Sequence, residues 1–480
     1  MLYRPKVLLI SNDSIDCNSI ALFVKAPPYI REKFEITLKQ MNEVNNIEVE
    51  DFDIVINSNG LFLPSKYQIN VEFGDIPFSP SRRMDIKLSP PNELTKFEDL
   101  YLMWKNVDII LSSSNVSSVL FNACNGAIAE QYYITGMPLT DFLFDDTINK
   151  DNILETFGIN RTEDFRVMMY TFNSKIKQCN NKDMSNIGDF FQTIFNFEKF
   201  EIEGLFNFLN KNKLFLIIDM TKSDIQISED IKKMFLSNNI FFLEKDHLIK
   251  RNLYFNQILN ALTLLITDIT PTYLNYFLLG KPVLFNDNLL SHLDGGPINP
   301  YQFWSPGNRF ENYEEMESLI LEIIEKNDLF DAERKKIVDI VHHHKTEGAS
   351  ERAWSIINQF WECGNPHFER IELTAEQYDL KISITDRIRI LLENHSLEDA
   401  KSAIEAYKEH FEIDEEYITM KSFLEFNLGE TKKALHTLKE GRLRFPGSYD
   451  ILFNIGYISR NLGLQVMSEY YFAKAQQIKS

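Results

Sequence analysis

The chain has 480 residues, 44% of them hydrophobic and 13% aromatic, which allows two or three domains with real cores and rules out a disordered protein. A formal net charge of −20 and a pI of about 5.0 disfavour a sequence-neutral nucleic-acid binder, which needs a basic face, and give no global attraction to anionic lipid. Four cysteines, Cys17, Cys124, Cys179 and Cys363, lie scattered without a CxxC pair or metal spacing and suit a reducing compartment. The start MLYRPKVLLISND lacks an h-region with a cleavage site, and no run of about 18 apolar residues occurs. The expected location is therefore the cytoplasm, in soluble form.

In chain order, Lys6 to Ile10 is a short apolar strand ending at the Ser11-Asn12-Asp13 turn. Asp53 to Asn57, Gln68 to Phe73 and Val107 to Leu111 repeat the pattern, the last ending in Ser112-Ser113-Ser114. Apolar strands alternating with helical or irregular stretches predict a parallel sheet. No GxGxxG or GxxxxGK[ST] is present, so neither a dinucleotide fingerprint nor a P-loop is expected.

A second series begins with the strand Phe165 to Phe172, the helix Phe200 to Lys211 and the strand Leu214 to Ile218. The most informative run follows, ITDITPTYLNYFLLGKPVLF, from Ile266 to Phe285. A buried strand ends at a Thr267-Asp268-Ile269 turn, Thr270 is suited to cap a helix, and Pro271 suits its first position. Thr272 to Leu279 is the helix, Gly280 its left-handed stop, and Lys281-Pro282 leads to the strand Val283 to Phe285. Such a unit aims amide N–H groups at the carboxyl edge of the sheet, where anions bind. The loop from Asp294-Gly295-Gly296-Pro297 to Trp304-Ser305-Pro306-Gly307 is either a segment that closes over a nucleotide, with Trp304 or Tyr301 stacking on its base, or an irregular surface loop. Tyr313 to Lys326 is an amphipathic helix. His342-His343-His344 is a poor metal site, because adjacent helical side chains diverge whereas a shared metal favours i, i+4 spacing.

From about residue 370 the sequence is helical and charged. Asn427-Leu428-Gly429 recurs as Asn461-Leu462-Gly463, 34 residues on, and Ala400, Ala434 and Ser468 keep the same period. That spacing of small residues is the tetratricopeptide signature, here about two and a half units, and it implies a protein partner or self-association.

The chain also resembles the CDP-glycerol glycerophosphotransferase family of teichoic-acid-type polymerases. Thr267 and Asp268 match a T-D-Y-S-S turn, Thr270 stands for its first serine, and Lys281-Pro282 falls at the expected distance. Gly136, Pro138, Asp141 and Leu143 match G-x-P-R-x-D-x-L, with Leu139 in the arginine's place. Gly74 and Pro77 match W-H-G-T-P, but Phe73 replaces the histidine held to be the catalytic base. Asp219-Met220-Thr221-Lys222 stands where the family has K-x-H-P, and Ser350 and Arg352 match a closing G-x-x-S-x-R motif. The resemblance implies a GT-B fold, so the expected class is α/β, a GT-B-like pair of Rossmann-like domains followed by an all-α TPR-like tail. The expected domains are 1–165, an acceptor-side domain; 166–362, a nucleotide-donor domain whose last helix crosses back; and 370–480, the helical tail.

The implied activity is transfer of a polyol-phosphate or sugar from a nucleotide-diphosphate donor, such as CDP-glycerol or a nucleotide sugar, to an acceptor hydroxyl of a polymer or lipid-linked substrate. The setting is cell-surface polymer synthesis (teichoic acid, capsule or spore coat), in contact with the inner face of the membrane. No histidine precedes His247, so the candidate bases are Asp75 and then Glu72. The expected phosphate and nucleotide contacts are Thr267, Asp268, Thr270, Thr272, Thr221, Ser305 and Gly307. Gly74, Gly136, Pro138 and Asp141 are expected on the acceptor side. No metal or cofactor beyond the donor is implied. The alternative is a catalytically silent GT-B subunit that scaffolds an active transferase.

Overall fold

A computed structural model describes residues 3–11, 17–44, 49–57, 65–74, 104, 107–125, 131–160, 164–172, 187–222, 227–268, 270–288, 300–325, 328–365 and 373–479, and the side chains of all of these except 123–125, 187–189 and 193. Six strands form the first sheet: β1 (Lys6–Ser11), β2 (Glu35–Gln40), β3 (Ile54–Asn57), β4 (Ile69–Gly74), β5 (Ile109–Ser112) and β6 (Tyr132–Ile134). All its pairings are parallel, in the order β2-β1-β3-β4-β5-β6. Its central strands are apolar runs because both faces are covered. One face packs Val7, Leu9, Ile56, Val71 and Phe73 in a single core, while Leu8, Ile10 and Val55 face the other way.

The second sheet holds β7 (Arg166–Thr171), β8 (Leu214–Asp219), β9 (Ile240–Leu243), β10 (Leu264–Thr267), β11 (Val283–Asn286) and β12 (Asn308–Phe310). These strands are also all parallel, in the order β12-β11-β10-β7-β8-β9. The chain builds outward from β7 to β9, then returns to the other side of β7 for β10. Strand order therefore reverses between β7 and β10, and at such a point the loops leave in opposite directions and open a crevice at the carboxyl ends. The two sheets are the GT-B-like pair anticipated from the sequence.

The domains exchange material. Leu143, Ile148, Ile153, Phe157 and Ile159 pack with Val167, Met169 and Leu265 of the second sheet, so by packing the boundary falls nearer 143 than 165. Conversely, the helix Ala349–Cys363 crosses back, burying Trp354, Ile357, Phe360 and Trp361 with Val7, Leu9 and Phe73 of the first. The Trp354 indole N–H donates to the Leu22 carbonyl at 2.9 Å.

The tail is all helical, in consecutive pairs: Ala375–Glu393 with Leu397–His410, Glu415–Asn427 with Thr431–Arg444, and Tyr449–Asn461 with Gln465–Lys479. The second helix of each pair starts 34 residues after the last. Ala400, Ala434 and Ser468, each 0% exposed, sit at the crossings. Each intra-pair turn holds one left-handed residue, His395 (φ 54°), Gly429 (φ 81°) and Gly463 (φ 77°), also 34 apart. His395 replaces the glycine of the other two, which is why the sequence shows only about two and a half units where three pairs fold.

The tail docks on the amino edge of the first sheet, away from the strand ends that carry the candidate site. The Lys439 ammonium lies 2.8 Å from Asp53 Oδ1, just before β3, with both side chains under 10% exposed. Tyr3 Oη (2.6 Å) and the Lys6 N–H (3.0 Å) donate to Asp53 Oδ2. Arg442 lies 4.0 Å over the Trp361 ring and donates to the Trp361 carbonyl, and Tyr67 stacks on His436 at 3.8 Å.

Asp108 occupies the same edge and accepts the Asn70 N–H at 2.8 Å. Burial pushes its carboxyl up to about 7, against the opposing pull of the Asn70 hydrogen bonds and the Arg444 charge. Its folded pKa thus lies above the unfolded value near 3.9, so its contribution is favourable below that value and is lost as pH rises through about 7. Asp108→Asn keeps the acceptor and removes the charge. It is expected to stabilise the chain at pH 8 by about 2 kcal/mol, discounted for partial exposure, and to change nothing at pH 4, as read by urea unfolding at both pH values.

Candidate active site

The turn after β10 lies at the strand-order reversal. Thr171 Oγ1, at the end of β7, donates to Thr267 Oγ1 at 2.9 Å, and Thr267 Oγ1 is 3.0 Å from Thr270 Oγ1. Three hydroxyls thus run in a chain from the end of β7 to the turn after β10, the first two buried and that of Thr270 part-exposed. Asp268, 4% exposed, accepts the Thr270 N–H at 2.9 Å, the local side-chain bond that closes an Asx-type turn.

Here the structure corrects the sequence reading of the cap. The helix is Thr272–Tyr276, prolonged by the 3-10 turn Phe277–Leu279 and stopped by Gly280 at φ 65° as expected. Thr270 makes no side-chain cap, and Pro271 holds the N-cap position with helical φ −58° and ψ −12°. The amides are largely committed within the turn: Thr270 N–H to Asp268, Tyr273 N–H to the Thr270 carbonyl and Leu274 N–H to the Pro271 carbonyl. Proline has no N–H to offer. An anion at this turn therefore meets chiefly the hydroxyls of Thr270 and Thr272, both part-exposed, and the Thr272 amide. A helix of little more than one turn adds a weak dipole at most.

Below the hydroxyl chain, the buried Tyr170 phenol donates to the Ile194 carbonyl at 2.7 Å and accepts from Asn286 Nδ2 at 3.1 Å. Burial, with the nearby Asp268 charge, raises the phenol's pKa well above its ordinary value. At the end of β8, Thr221 gives both its hydroxyl (2.6 Å) and its amide (3.0 Å) to Asp219 Oδ1. Burial pushes the Asp219 carboxyl upward against these bonds and the Lys222 charge. A carboxylate ~4 Å from a phosphate would oppose it by several kcal/mol at an effective dielectric near 20. The push toward the neutral acid softens that repulsion.

Ser305 and Gly307 are committed to packing. Ser305 is 0% exposed, donates to the Tyr301 carbonyl at 2.7 Å and accepts from Arg309. A Cβ on Gly307 would sit 2.6 Å from the Val283 carbonyl oxygen, so glycine is there to let β11 and β12 approach. Arg309 covers one face of Tyr301 at 4.2 Å while its Nη1 bonds Asp287 Oδ1 at 2.8 Å, which leaves that ring face closed to a base. The Asp294–Pro297 part of the loop lies outside the described residues.

On the first sheet, Phe73, which the sequence reading set at the place of the family histidine, is 2% exposed in the apolar core. Glu72 points to the other face, 2% exposed, between Asn57 of β3 and Ile110 of β5 in register. Gly74 ends β4 beside Ser112, and Asp75, next in the chain, lies outside the described residues. The sequence reading took the serines only as a turn, yet they form a buried cluster. Ser113 Oγ donates to Ser117 Oγ at 2.8 Å, Ser118 Oγ to Ser112 Oγ at 2.9 Å, and the Ser117 amide to Ser114 Oγ at 3.1 Å.

Asp141, expected on the acceptor side, has a different task. Its buried carboxylate accepts the Gly348, Ala349 and Ser350 amides, each at 2.8 Å, and so caps the crossing helix from across the interdomain link. Pro138 opens the 3-10 turn Pro138–Phe144 that presents it, and Gly136, at φ 78°, passes close to Ala349 and Arg352. Arg352 Nε donates to the Thr135 carbonyl at 2.7 Å. These matched motif residues pin the outgoing and returning crossings to each other.

The three histidines complete that junction. They follow the helix Asp331–Val341 rather than continuing it, and they diverge. His342 is buried with its Nε2 3.1 Å from the Leu274 carbonyl, and burial holds its pKa down to about 4. The His343 amide donates to the Ser113 carbonyl at 2.9 Å, and His344 Nε2 lies 3.2 Å from the Ile134 carbonyl. Consecutive residues therefore touch the helix of the threonine turn and the serine turn, which brackets the crevice between them.

The model of the family described as CDP-Glycerol:Poly(glycerophosphate) glycerophosphotransferase matches residues 80–359, more than half of the chain. The chain belongs to this family. It is thus a distant member of a transferase family, and the match spans the threonine turn and both interdomain crossings but not the tail. Among solved structures, the wall teichoic acid polymerase TagF is similar. A histidine-to-asparagine variant soaked with CDPG is 12% identical, with a TM-score of 0.55 over 74% of this chain and 88% of that one. The unsubstituted polymerase is 11% identical, with a TM-score of 0.53 over 74% and 89%. At these identities the likeness establishes the fold alone. No curated protein sequence matches the chain. Of the two residues that the sequence reading set against the family's histidines, Phe73 lies before the matched span and in the core, and Thr221 is bonded to Asp219.

Proposed function

We propose that the chain transfers a polyol-phosphate, or a sugar, from a nucleotide-diphosphate donor to an acceptor hydroxyl within the crevice between its sheets, during assembly of a cell-surface polymer. The observation that carries this reading is the hydroxyl chain Thr171–Thr267–Thr270 at the reversal of strand order. For a glycerophosphate-type donor, the acceptor oxygen bonds to the outer phosphorus, the bond to the nucleoside monophosphate breaks, and the acceptor proton passes to a carboxylate. Asp75, or else Glu72, is the base in this reading. Thr270 and Thr272 stabilise charge developing on the leaving phosphate, and no cofactor beyond the donor is required. In this reading the work is done in the cytoplasm at the inner membrane face, with a polymer or lipid-linked acceptor.

Thr270→Val removes one hydroxyl at nearly constant volume. It is expected to weaken donor binding by about 10-fold, the value of one hydrogen bond to a charged group, and to lower the melting temperature slightly in the absence of ligand, because the buried Thr267 hydroxyl loses Thr270 as a partner. Calorimetric titration with CDP-, UDP- and CMP-linked compounds reads this, and equal affinity in both proteins would remove the threonine turn from the site.

The two displaced histidines favour a second reading, a silent subunit that binds nucleotide and organises an active transferase. Turnover that disappears in Asp75→Ala or Glu72→Ala while binding persists supports the enzyme. Binding without turnover in the unaltered chain supports the silent subunit.

A further inference from the structure

We infer that the helical tail carries a docking pocket for a basic, apolar segment of a partner protein. A cavity of about 480 Å³ opens between the start of the helix Ala375–Glu393 and the loop that joins the first helix pair to the second. That volume lies within the usual range for binding pockets and holds roughly two large side chains. Its floor is apolar: Leu373, Phe411, Ile413 and Phe445 all line it.

The mouth decides the sign of the occupant. Glu412, Asp414, Glu415 and Glu416 line it, against Lys381 and His410. Lys381 is already held, 2.9 Å from Asp414 and 3.0 Å from Glu416, and Asp414 also takes the Tyr407 hydroxyl at 2.7 Å. These bonds fix the rim, and Glu412 remains exposed to solvent. An anion, nucleotide or phosphate, meets net repulsion here, and the −20 charge of the whole chain adds to it. A lysine or arginine beside a leucine or aromatic residue satisfies rim and floor together.

The surface also argues for a chain rather than a small cation. Tyr378 and Ile382, one turn apart on the same helix, are 55% and 45% exposed, so apolar surface continues past the pocket along the helix. Because the tail docks through Lys439 and Arg442 on the amino edge of the first sheet, a partner seated here leaves the crevice open. The pocket thus serves recruitment, and it stands independently of the chemistry assigned to the crevice.

The test is selection of a phage-displayed random peptide library on the full chain, followed by anisotropy titration of the enriched peptides. Two variants are compared: Glu412→Lys, on an exposed residue, and Ile413→Ala, which shortens the floor without adding charge. The expected peptides place lysine or arginine next to a leucine, phenylalanine or tryptophan, weaken with added salt, and lose about 10-fold in affinity in each variant. Enriched peptides that are neutral or acidic, affinity in either variant equal to that of the unaltered chain, or no enrichment over an unrelated protein would each overturn the inference. Unchanged melting curves for Glu412→Lys separate lost binding from lost folding.

Discussion

Asp141→Ala is expected to destabilise the chain by about 3 kcal/mol. Its carboxylate takes three amides from Gly348, Ala349 and Ser350, and no other described residue accepts them. Each buried amide left without a partner costs about 1 kcal/mol or more, and the crossing helix loses its amino-terminal charge complement as well. Because the helix carries Trp354 and Trp361 into the first core, the loss spreads to the relation between the two sheets. Urea unfolding followed by tryptophan fluorescence reads the energy. A companion Asp141→Asn variant keeps one acceptor but turns an amino group toward the amides, and it is expected to recover less than half of the loss. Stability within about 0.5 kcal/mol of the unaltered chain in Asp141→Ala would show that the crossing is held elsewhere.

Lys439→Ala is expected to release the tail. The Lys439–Asp53 pair is buried, and removal of one member leaves the other charged in a low-dielectric setting, a cost of about 3–5 kcal/mol. Burial alone would push the Asp53 carboxyl up, but the Lys439 ammonium and hydrogen bonds from Lys439, Tyr3 and Lys6 outweigh it and hold its pKa below the usual value. The folded value lies below the unfolded one, so this contribution is present above about pH 4 and is lost as pH falls through the folded pKa. Calorimetry of Lys439→Ala is expected to show a separate low-temperature transition for residues 373–479, and hydrogen exchange is expected to rise at Tyr3 to Ser11 and around Trp361. A single transition at the unaltered temperature would mean that the Arg442–Trp361 contact and the aromatic packing of Tyr3 on Tyr470 suffice.

The strands legible in the sequence were the central ones, and the physical reason is visible in the sheet orders. The unread strands β2, β6, β9 and β12 are the four sheet edges. A central parallel strand is buried on both faces and reads as an apolar run, as in KVLLIS or LFLIID, whereas the edge strand EITLKQ is half-buried and mixed. The Gly280 stop and the 34-residue period were readable because each depends on local backbone conformation. Site residues fared differently. Nothing local distinguishes Asp141 as a cap for a helix more than 200 residues later. The Asp219–Thr221 bond, by contrast, is a local Asx-type turn like that of Asp268 and Thr270, and the sequence reading passed it over by taking Thr221 as a phosphate contact. The proline that suggested a helix start also removed an amide from it, so an anion at this turn would meet hydroxyls more than N–H groups.

Hydrogen exchange with mass spectrometry, on the full chain with and without a CDP-linked donor, tests the crevice assignment most directly. The account predicts slowed exchange in peptides spanning Leu264–Thr267 and Thr272–Tyr276 and in those following β7, with residues 373–479 unchanged. Donor protection confined to the first sheet or the tail, with the threonine turn exchanging as before, would contradict it.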